Sequence, residues 1–146
     1  MTGYATVANA VEAMTIQGGT ETVLLADDNE AVRAFARQVL KDAGYRVLDA
    51  ADGLEALATA RSHDGPIGLL VTDLRMPGIG GLELARRLRL ERSGLAVLYV
   101  SGYASSELLE AAHRDENAGF LRKPFAPRTL LKHVRRTLDA CRPAAA

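Results

Sequence analysis

The chain has 146 residues, of which 48% are hydrophobic and 25% charged, a composition typical of one globular domain. Its 18 basic residues balance 18 acidic ones, so the net charge gives no reason to expect contact with nucleic acid or with a membrane. A single cysteine, Cys141, excludes an internal disulfide and a metal site built from cysteines. Because residues 1–20 lack the basic start and apolar run of a signal peptide, we expect a cytoplasmic protein.

The chain opens with an extension and then alternates between two kinds of segment. Residues 1–20 are rich in Ala, Thr and Gly and are interpreted as an N-terminal extension or linker. From residue 22 onward, short apolar runs of strand length alternate with segments of helical spacing. The predicted strands are Thr22–Ala26, Arg46–Ala50, Ile67–Thr72, Ala96–Val100 and Gly119–Leu121.

Five helices are predicted between and after these strands, several with recognisable ends. Gly44 follows the first helical segment and is a plausible left-handed stop. Asp52 and Glu55 have the spacing of a capping box at the start of the second. Pro127 suits the first position of the last helix, whereas Ala126 offers that helix no capping side chain, at a cost of about 1 kcal/mol.

Repeated strand–helix units predict the α/β class. Five such units imply a parallel sheet with helices on both faces, closed as a doubly wound sheet by right-handed crossovers. Near-continuous apolar strands agree, because a parallel sheet is buried on both sides. We place this domain at residues 21–140, followed by a tail at residues 141–146. Ligands of such folds bind beyond the carboxyl ends of the strands.

Polar residues follow four of the five predicted strands. Asp27 and Asp28 end the first strand, Asp73 the third and Ser101 the fourth, while Lys123 follows the fifth. Taken singly, each residue is explained equally well as a helix cap or a turn residue. Three carboxylates converging on one edge, however, repel one another unless a cation is present.

A hard divalent ion such as Mg²⁺ prefers oxygen ligands and resolves that repulsion. With a metal beside it, Asp73 can act as a nucleophile toward phosphorus and form an acyl phosphate. Lys123 and the Ser101 hydroxyl can then contact the phosphoryl oxygens. The pattern therefore predicts metal-assisted phosphoryl transfer.

Four stretches of the sequence resemble the receiver domain of bacterial response regulators and hybrid sensor histidine kinases. They are Val23–Asn29, Val71–Gly78, Val100–Tyr103 and Leu121–Phe125. They occur in order, and the resemblance covers roughly residues 21–140. It implies a flavodoxin-like sheet of five parallel strands in the order 2-1-3-4-5. It also implies a phosphoprotein that acts in signal transduction by two-component phosphorelay.

The resemblance assigns a role to each polar residue at the strand ends. Asp73 is the residue that it implies is phosphorylated. Asp28 is implied to bind Mg²⁺ (or Mn²⁺) directly, with Asp27 close by and partly acting through water. The backbone carbonyl of Arg75 is implied as a further metal ligand beside Asp73. Ser101 and Lys123 are implied to contact the phosphoryl oxygens.

Further residues are implied to surround this site. Ser101 and Phe120 correspond to a pair that switches conformation, although Phe120 is equally well explained as a buried strand residue. The resemblance implies a cis peptide between Lys123 and Pro124, which aims the lysine at the site. The residues implied to flank the site are Arg75, Gly102, Tyr103 and Pro124.

Three other functions are weighed against this one. A hydrolase of the haloacid-dehalogenase type needs a second acid two residues after Asp73, where Arg75 stands. A flavin- or nucleotide-binding module needs a glycine-rich phosphate loop, which the loops after the first two strands lack. A receiver fold used only for phosphorylation-independent protein interaction is the remaining alternative, although the acids and the lysine are intact. We expect a phosphoacceptor that catalyses only its own phosphorylation and dephosphorylation, and not an enzyme in the usual sense.

The implied phosphodonor is a phosphohistidine on a sensor histidine kinase or a histidine phosphotransfer domain. We expect it to dock beside the first helix, near Ala31, Ala34, Phe35 and Gln38, and next to the loop that carries Lys123. The chain is interpreted either as the receiver module of a hybrid sensor kinase or as a single-domain response regulator.

Overall fold

A computed structural model describes residues 18–102 and 104–141, which form five consecutive strand–helix units. The strands are β1 (Thr22–Ala26), β2 (Arg46–Ala50), β3 (Leu69–Asp73), β4 (Ala96–Ser101) and β5 (Ala118–Arg122). The helices are α1 (Glu30–Asp42), α2 (Gly53–Ser62), α3 (Gly81–Glu91), α4 (Ser106–His113) and α5 (Pro127–Ala140).

The strands form one parallel sheet in the order β2-β1-β3-β4-β5, which confirms the predicted fold class. The order reverses direction between β1 and β3, which is the point where doubly wound folds bind ligands. The register aligns the strand ends there: Ala26 lies opposite Thr72, Asp73 opposite Val100 and Ser101 opposite Arg122. Residues that follow these positions consequently share one edge of the sheet.

Two hydrophobic cores fill the spaces on either side of the sheet. One core packs α2, α3 and α4 against residues such as Leu24 and Leu70. The other packs α1 and α5 against residues such as Val23 and Val71. Every residue of β4 is buried, as expected of a central strand covered on both faces. None of the helices that the structure describes is long and apolar enough to cross a membrane.

The helix ends follow the sequence closely. Asn29 caps α1 by accepting the Val32 N–H at 3.0 Å, so Asp28 is not the capping residue and its carboxylate is left for other contacts. Asp52 caps α2, and the reciprocal Glu55 carboxylate accepts the N–H of Ala51 at 2.8 Å. In a standard capping box the donor would be the N–H of the capping residue, Asp52, so the observed donor lies one residue earlier.

The last helix starts as predicted at Pro127, and Ala126 contributes no capping hydrogen bond. Gly44 follows α1 with a φ of +101°, the left-handed conformation expected of a helix stop.

The predicted bounds of β3 were displaced toward the amino terminus. The strand begins at Leu69 instead of Ile67 and ends at Asp73 instead of Thr72. Ile67 is still buried, which explains its apolar character without a strand position. As a result Asp73 is itself the last strand residue, and its backbone is held by the sheet.

Candidate functional site

The site lies at the carboxyl edge of the sheet, where four strands deliver polar side chains. Asp27 and Asp28 directly follow β1, and Asp73 and Ser101 are the last residues of β3 and β4. Lys123 directly follows β5. Because β1, β3, β4 and β5 are neighbours in the sheet, these residues converge at one end of the sheet.

Three carboxylates form the centre of this site. One oxygen from each of Asp27, Asp28 and Asp73 lies within 4.8 Å of the other two. Asp27 is buried, Asp73 is half-buried and Asp28 is exposed to solvent. Like charges at this spacing raise the free energy of the folded state unless cations compensate them.

Lys123 compensates part of this charge. Its Nζ lies 2.9 Å from Asp27 Oδ2 and 3.0 Å from Asp73 Oδ2, so one ammonium bridges the acids of β1 and β3. Burial of the ammonium opposes its charge, but the hydrogen bonds to the two carboxylates outweigh this and raise the pKa of Lys123. The lysine therefore stays charged at neutral pH.

The surroundings of Asp73 disfavour its ionised carboxylate. Burial raises the pKa of Asp73, and the charge of Asp27 raises it further, whereas the bond to Lys123 only partly offsets both. The N–H of Arg75 adds a long hydrogen bond of 3.4 Å to Asp73 Oδ1. The free energy of the folded state therefore favours a further cation, or a proton, near this carboxylate.

The loop after β3 is shaped by close packing against Asp73. Gly81 opens α3 against the Asp73 carbonyl oxygen, and a Cβ at this position would overlap that oxygen. The Thr72 hydroxyl donates to the same carbonyl at 2.9 Å. These contacts hold the end of β3, and Asp73 with it, beside the start of α3.

Ser101 and Phe120 line a shared cleft beside the acids. Ser101 is buried, and its carbonyl accepts the Lys123 N–H at 3.0 Å, which ties the end of β4 to the start of the lysine loop. The Phe120 ring is half-buried and lies 4.8 Å from the ring of His113 on α4. The cleft that they line has a volume of about 480 Å³.

The remaining predicted residues follow β3, β4 and β5 at the same end of the sheet, and one of them lies outside the described residues. Arg75 and Pro124 are exposed, and the Lys123–Pro124 peptide is cis, as the resemblance implied. Gly102 is exposed at the end of β4, and a Cβ there would lie 3.2 Å from Lys123 Cβ. Tyr103 lies outside the described residues.

Two residues near the site were not singled out by the sequence. The Asn29 N–H donates to Asp27 Oδ1 at 2.8 Å, and the Arg33 guanidinium donates to the Asp27 carbonyl oxygen at 2.8 Å. Asn29 also has a capping role that its residue type signals. Arg33 has no comparable signal, because a basic residue in an amphipathic helix usually belongs to the solvated face.

The donor set fits a hard divalent cation. Mg²⁺ binds oxygen ligands at about 2.0–2.1 Å in octahedral geometry, so two of its ligands lie about 2.9 Å apart when adjacent and about 4.2 Å apart when on opposite sides of the ion. One carboxylate oxygen from each of the three acids already lies within 4.8 Å of the other two, so the acids are close enough for one ion to draw them together. All three are oxygen donors, and Asp28 is exposed, so an ion reaches the cluster from solvent.

Comparisons with known proteins agree with this architecture. The family described as response regulator receiver domain matches residues 23–135. The response regulator receiver protein CpdR of Brucella abortus is 35% identical over 118 residues, which are 81% of this chain and 97% of CpdR. The chemotaxis protein CheY4 of Vibrio cholerae has a similar structure, with a TM-score of 0.73 and 33% identity over 82% of this chain and 99% of that chain.

A longer relative shows the same kind of unit within a larger protein. The sensor kinase CckA of Brucella abortus is 36% identical over 129 residues, which are 88% of this chain. The match spans only 14% of CckA.

The raised pKa of Asp73 predicts how the Asp73→Asn variant changes stability with pH. Folded Asp73 keeps its proton above the pH at which the unfolded chain loses it, so the wild type loses stability as pH rises through the raised pKa. The variant has no such loss. In chelator-containing buffer, we expect its free energy of unfolding to gain on the wild-type value as the pH rises above about 4, the pKa of an aspartate in the unfolded chain.

Denaturant unfolding at several pH values measures this difference. Asp64→Asn is the matched control, because Asp64 is an exposed carboxylate that precedes β3 at the opposite edge of the sheet. A stability difference for Asp73→Asn that is flat with pH, as expected for the control, would contradict the charge balance described here.

Proposed function

The chain belongs to the response regulator receiver domain family of two-component signalling, and on that premise we propose that it accepts a phosphoryl group from a phosphohistidine onto Asp73. The cluster of three carboxylates around one lysine supports this proposal most directly. An interaction module that never takes up a phosphoryl group would not need charges held in this costly arrangement.

We assign the metal site to the carboxylates of Asp27, Asp28 and Asp73 and to the backbone carbonyl of Arg75. Asp28 would bind the ion directly, and Asp27 would act partly through water. A bound Mg²⁺ or Mn²⁺ would offset the negative charge of both the carboxylates and the incoming phosphoryl group.

The transfer itself forms one bond and breaks one bond. An oxygen of Asp73 attacks phosphorus, and a P–O bond forms while the P–N bond to the donor imidazole breaks. The bonding electron pair stays on the imidazole nitrogen, which takes a proton from solvent. The product is an acyl phosphate on Asp73 and a free histidine on the donor.

Lys123 and Ser101 would serve the phosphoryl oxygens. The ammonium of Lys123 lies 3.0 Å from Asp73 Oδ2, so it is within reach of oxygens carried on that carboxylate. The Ser101 hydroxyl at the end of β4 can donate to another phosphoryl oxygen. Both groups stabilise charge on the transferred group, which is the main contribution of protein side chains to phosphoryl transfer.

The donor would be a sensor histidine kinase or a histidine phosphotransfer domain. Next to Lys123 lies an apolar groove of about 330 Å³, lined by Ala31, Val32, Phe35, Pro124 and Phe125. Phe35 is 41% exposed, and its ring centroid lies 6.0 Å from that of Phe125. The exposed Phe35 ring, backed by the partly buried Phe125, is a suitable surface for the apolar face of a partner helix.

Two protein contexts fit this proposal. The chain covers 97% of the receiver protein CpdR but only 14% of the sensor kinase CckA. It would act either as a single-domain regulator or as the receiver module of a hybrid kinase.

Phosphorylation of Asp73 is tested by intact mass after incubation with Mg²⁺ and acetyl phosphate. We expect the wild type to gain one phosphoryl group, because its carboxylate nucleophile and metal ligands are in place. The gain should vanish in Asp73→Asn and when a chelator replaces Mg²⁺, and persist in Asp64→Asn. A folded wild type that gains nothing from acetyl phosphate or from a phosphohistidine donor would favour the interaction-module alternative.

Docking is tested with Ala31→Arg, which places a charge in the apolar groove. We expect transfer from a phosphorylated histidine phosphotransfer domain to slow roughly tenfold or more, as for loss of a central interface contact. Labelling by acetyl phosphate should not change, because this small donor needs no groove. Ala58→Arg is the control, since Ala58 is exposed on α2, across the sheet from α1. Equal transfer rates for the two arginine variants would contradict docking at this groove.

We also propose that phosphorylation of Asp73 changes the conformation of the domain near α4 through a coupled movement of Ser101 and Phe120. If the Ser101 hydroxyl moves toward the phosphoryl group, Phe120 can move further into the cleft that they share. We expect the backbone amide signals of both residues to shift in ¹H–¹⁵N spectra on phosphorylation. In Ser101→Ala, the Phe120 shift should be lost even in phosphorylated protein. An unchanged Phe120 signal in the phosphorylated wild type would refute the coupling.

A further inference from the structure

We propose that Arg33 is a positioning residue of the metal site, acting through the backbone of the two adjacent acids. This inference rests on the proposed metal-dependent function, and it assigns a task to a residue that touches none of the three carboxylates in the site. Its guanidinium donates instead to the main-chain carbonyl oxygen of Asp27, at 2.8 Å.

Each of the four polar groups of Asp27 has a hydrogen-bond or ion-pair partner. Its N–H donates to the Ala50 carbonyl at 3.2 Å, Oδ1 accepts from Asn29 at 2.8 Å and Oδ2 contacts Lys123 at 2.9 Å. The fourth group is its carbonyl oxygen, which follows the last paired residue of β1, Ala26. Arg33 supplies the hydrogen bond that the sheet no longer provides at this position.

The Asp27 carbonyl matters because it belongs to the peptide that connects Asp27 to Asp28. A peptide unit is planar, so its orientation fixes the direction in which the Asp28 backbone leaves. Asp28 is exposed, so packing does not hold its side chain. The Asn29 N–H bond to Asp27 Oδ1 fixes the peptide that follows Asp28, and the Arg33 bond fixes the peptide that precedes it. Together they keep the Asp28 carboxylate aimed at Asp73.

Arg33 is itself braced by β2. Its Nε lies 3.4 Å from Asp49 Oδ2, and Arg37 Nη1 contacts the same oxygen at 3.0 Å. Arg33 thus uses two sides of its planar guanidinium, one toward Asp49 and one toward the Asp27 carbonyl. Arg37 shares the acid partner, and the described contacts assign it no bond to the site backbone, so it is a matched control.

A purely electrostatic role and a positioning role predict opposite effects on Mg²⁺ binding when Arg33 is removed. If the arginine acted only as a nearby positive charge, Arg33→Met would strengthen Mg²⁺ binding, because one repelling cation is gone. If it positions the acids, the same change weakens Mg²⁺ binding. Loss of a group that orients metal ligands typically costs 10- to 100-fold in metal affinity, and we expect about tenfold here.

The experiment is calorimetric titration of wild type, Arg33→Met and Arg37→Met with MgCl₂ at neutral pH, without a phosphodonor. We expect the Mg²⁺ Kd of Arg33→Met to rise about tenfold, and that of Arg37→Met to stay unchanged or fall. An Arg33→Met Kd within twofold of wild type, or lower, overturns the proposal. An equal rise of the Mg²⁺ Kd in both variants also overturns the proposal, because it would show that the effect comes from the loss of a partner for Asp49. A wild type that binds no Mg²⁺ would instead defeat the proposed function itself.

Arg33→Lys covers the case in which Arg33→Met does not fold. It keeps the charge, but one ammonium cannot replace both sides of the guanidinium fork. We expect its Mg²⁺ Kd to rise as well, and a wild-type Kd in a folded Arg33→Lys variant overturns the proposal.

Discussion

The arrangement of this domain depends on holding three carboxylates within 4.8 Å of one another at the end of a buried sheet. Left alone, these charges would repel and destabilise the fold. The Lys123 ammonium bridges Asp27 and Asp73 and offsets part of this repulsion. Hydrogen bonds also fix Asp27 and the end of β3. Lys123 offsets only part of the cost, because burial, and after it the charge of Asp27, still raise the pKa of Asp73. We propose that the remaining negative charge attracts a metal ion, and that this ion and Lys123 together then offset the negative charge of the incoming phosphoryl group.

The two surfaces next to the acids would divide the tasks of input and output. On one side, α1 and the Lys123–Pro124 loop form an apolar groove with the exposed Phe35 ring, where a donor could dock. On the other side, Ser101 and Phe120 line a separate cleft beside α4. Both surfaces meet at Lys123 and the end of β4, which are joined by a backbone hydrogen bond. If the proposed function holds, the sheet edge would place phosphoryl transfer between a surface for the donor and a surface that changes on phosphorylation.

Most of the fold could be predicted from the sequence because alternation of apolar strands and amphipathic helices leaves few topologies. The same alternation placed Asp27, Asp28, Asp73, Ser101 and Lys123 at one edge. The start of β3 was predicted two residues early because Ile67 is apolar and buried without being in the strand. Sequence alone could not choose between a capping and a ligating Asp28, whereas the observed Asn29 cap excludes the former.

Other features depend on contacts that a sequence pattern does not encode. The bond from Arg33 to the Asp27 carbonyl exists because the sheet ladder ends one residue earlier, at Ala26. Likewise, Phe120 is half-buried because α4 places His113 against its ring. In both cases the signal lies in the relative placement of two elements, and residue type gives no indication of it.

On the proposed mechanism, the phosphoryl group resides on Asp73 and on neither of the neighbouring acids. The most direct test is to phosphorylate the wild type with acetyl phosphate and Mg²⁺, reduce the product with borohydride, and map the peptides by mass spectrometry. Borohydride converts an aspartyl phosphate to homoserine and leaves free carboxylates intact. We expect homoserine at position 73 alone. Homoserine at position 27 or 28, or at none of the three positions in a phosphorylated sample, would contradict it.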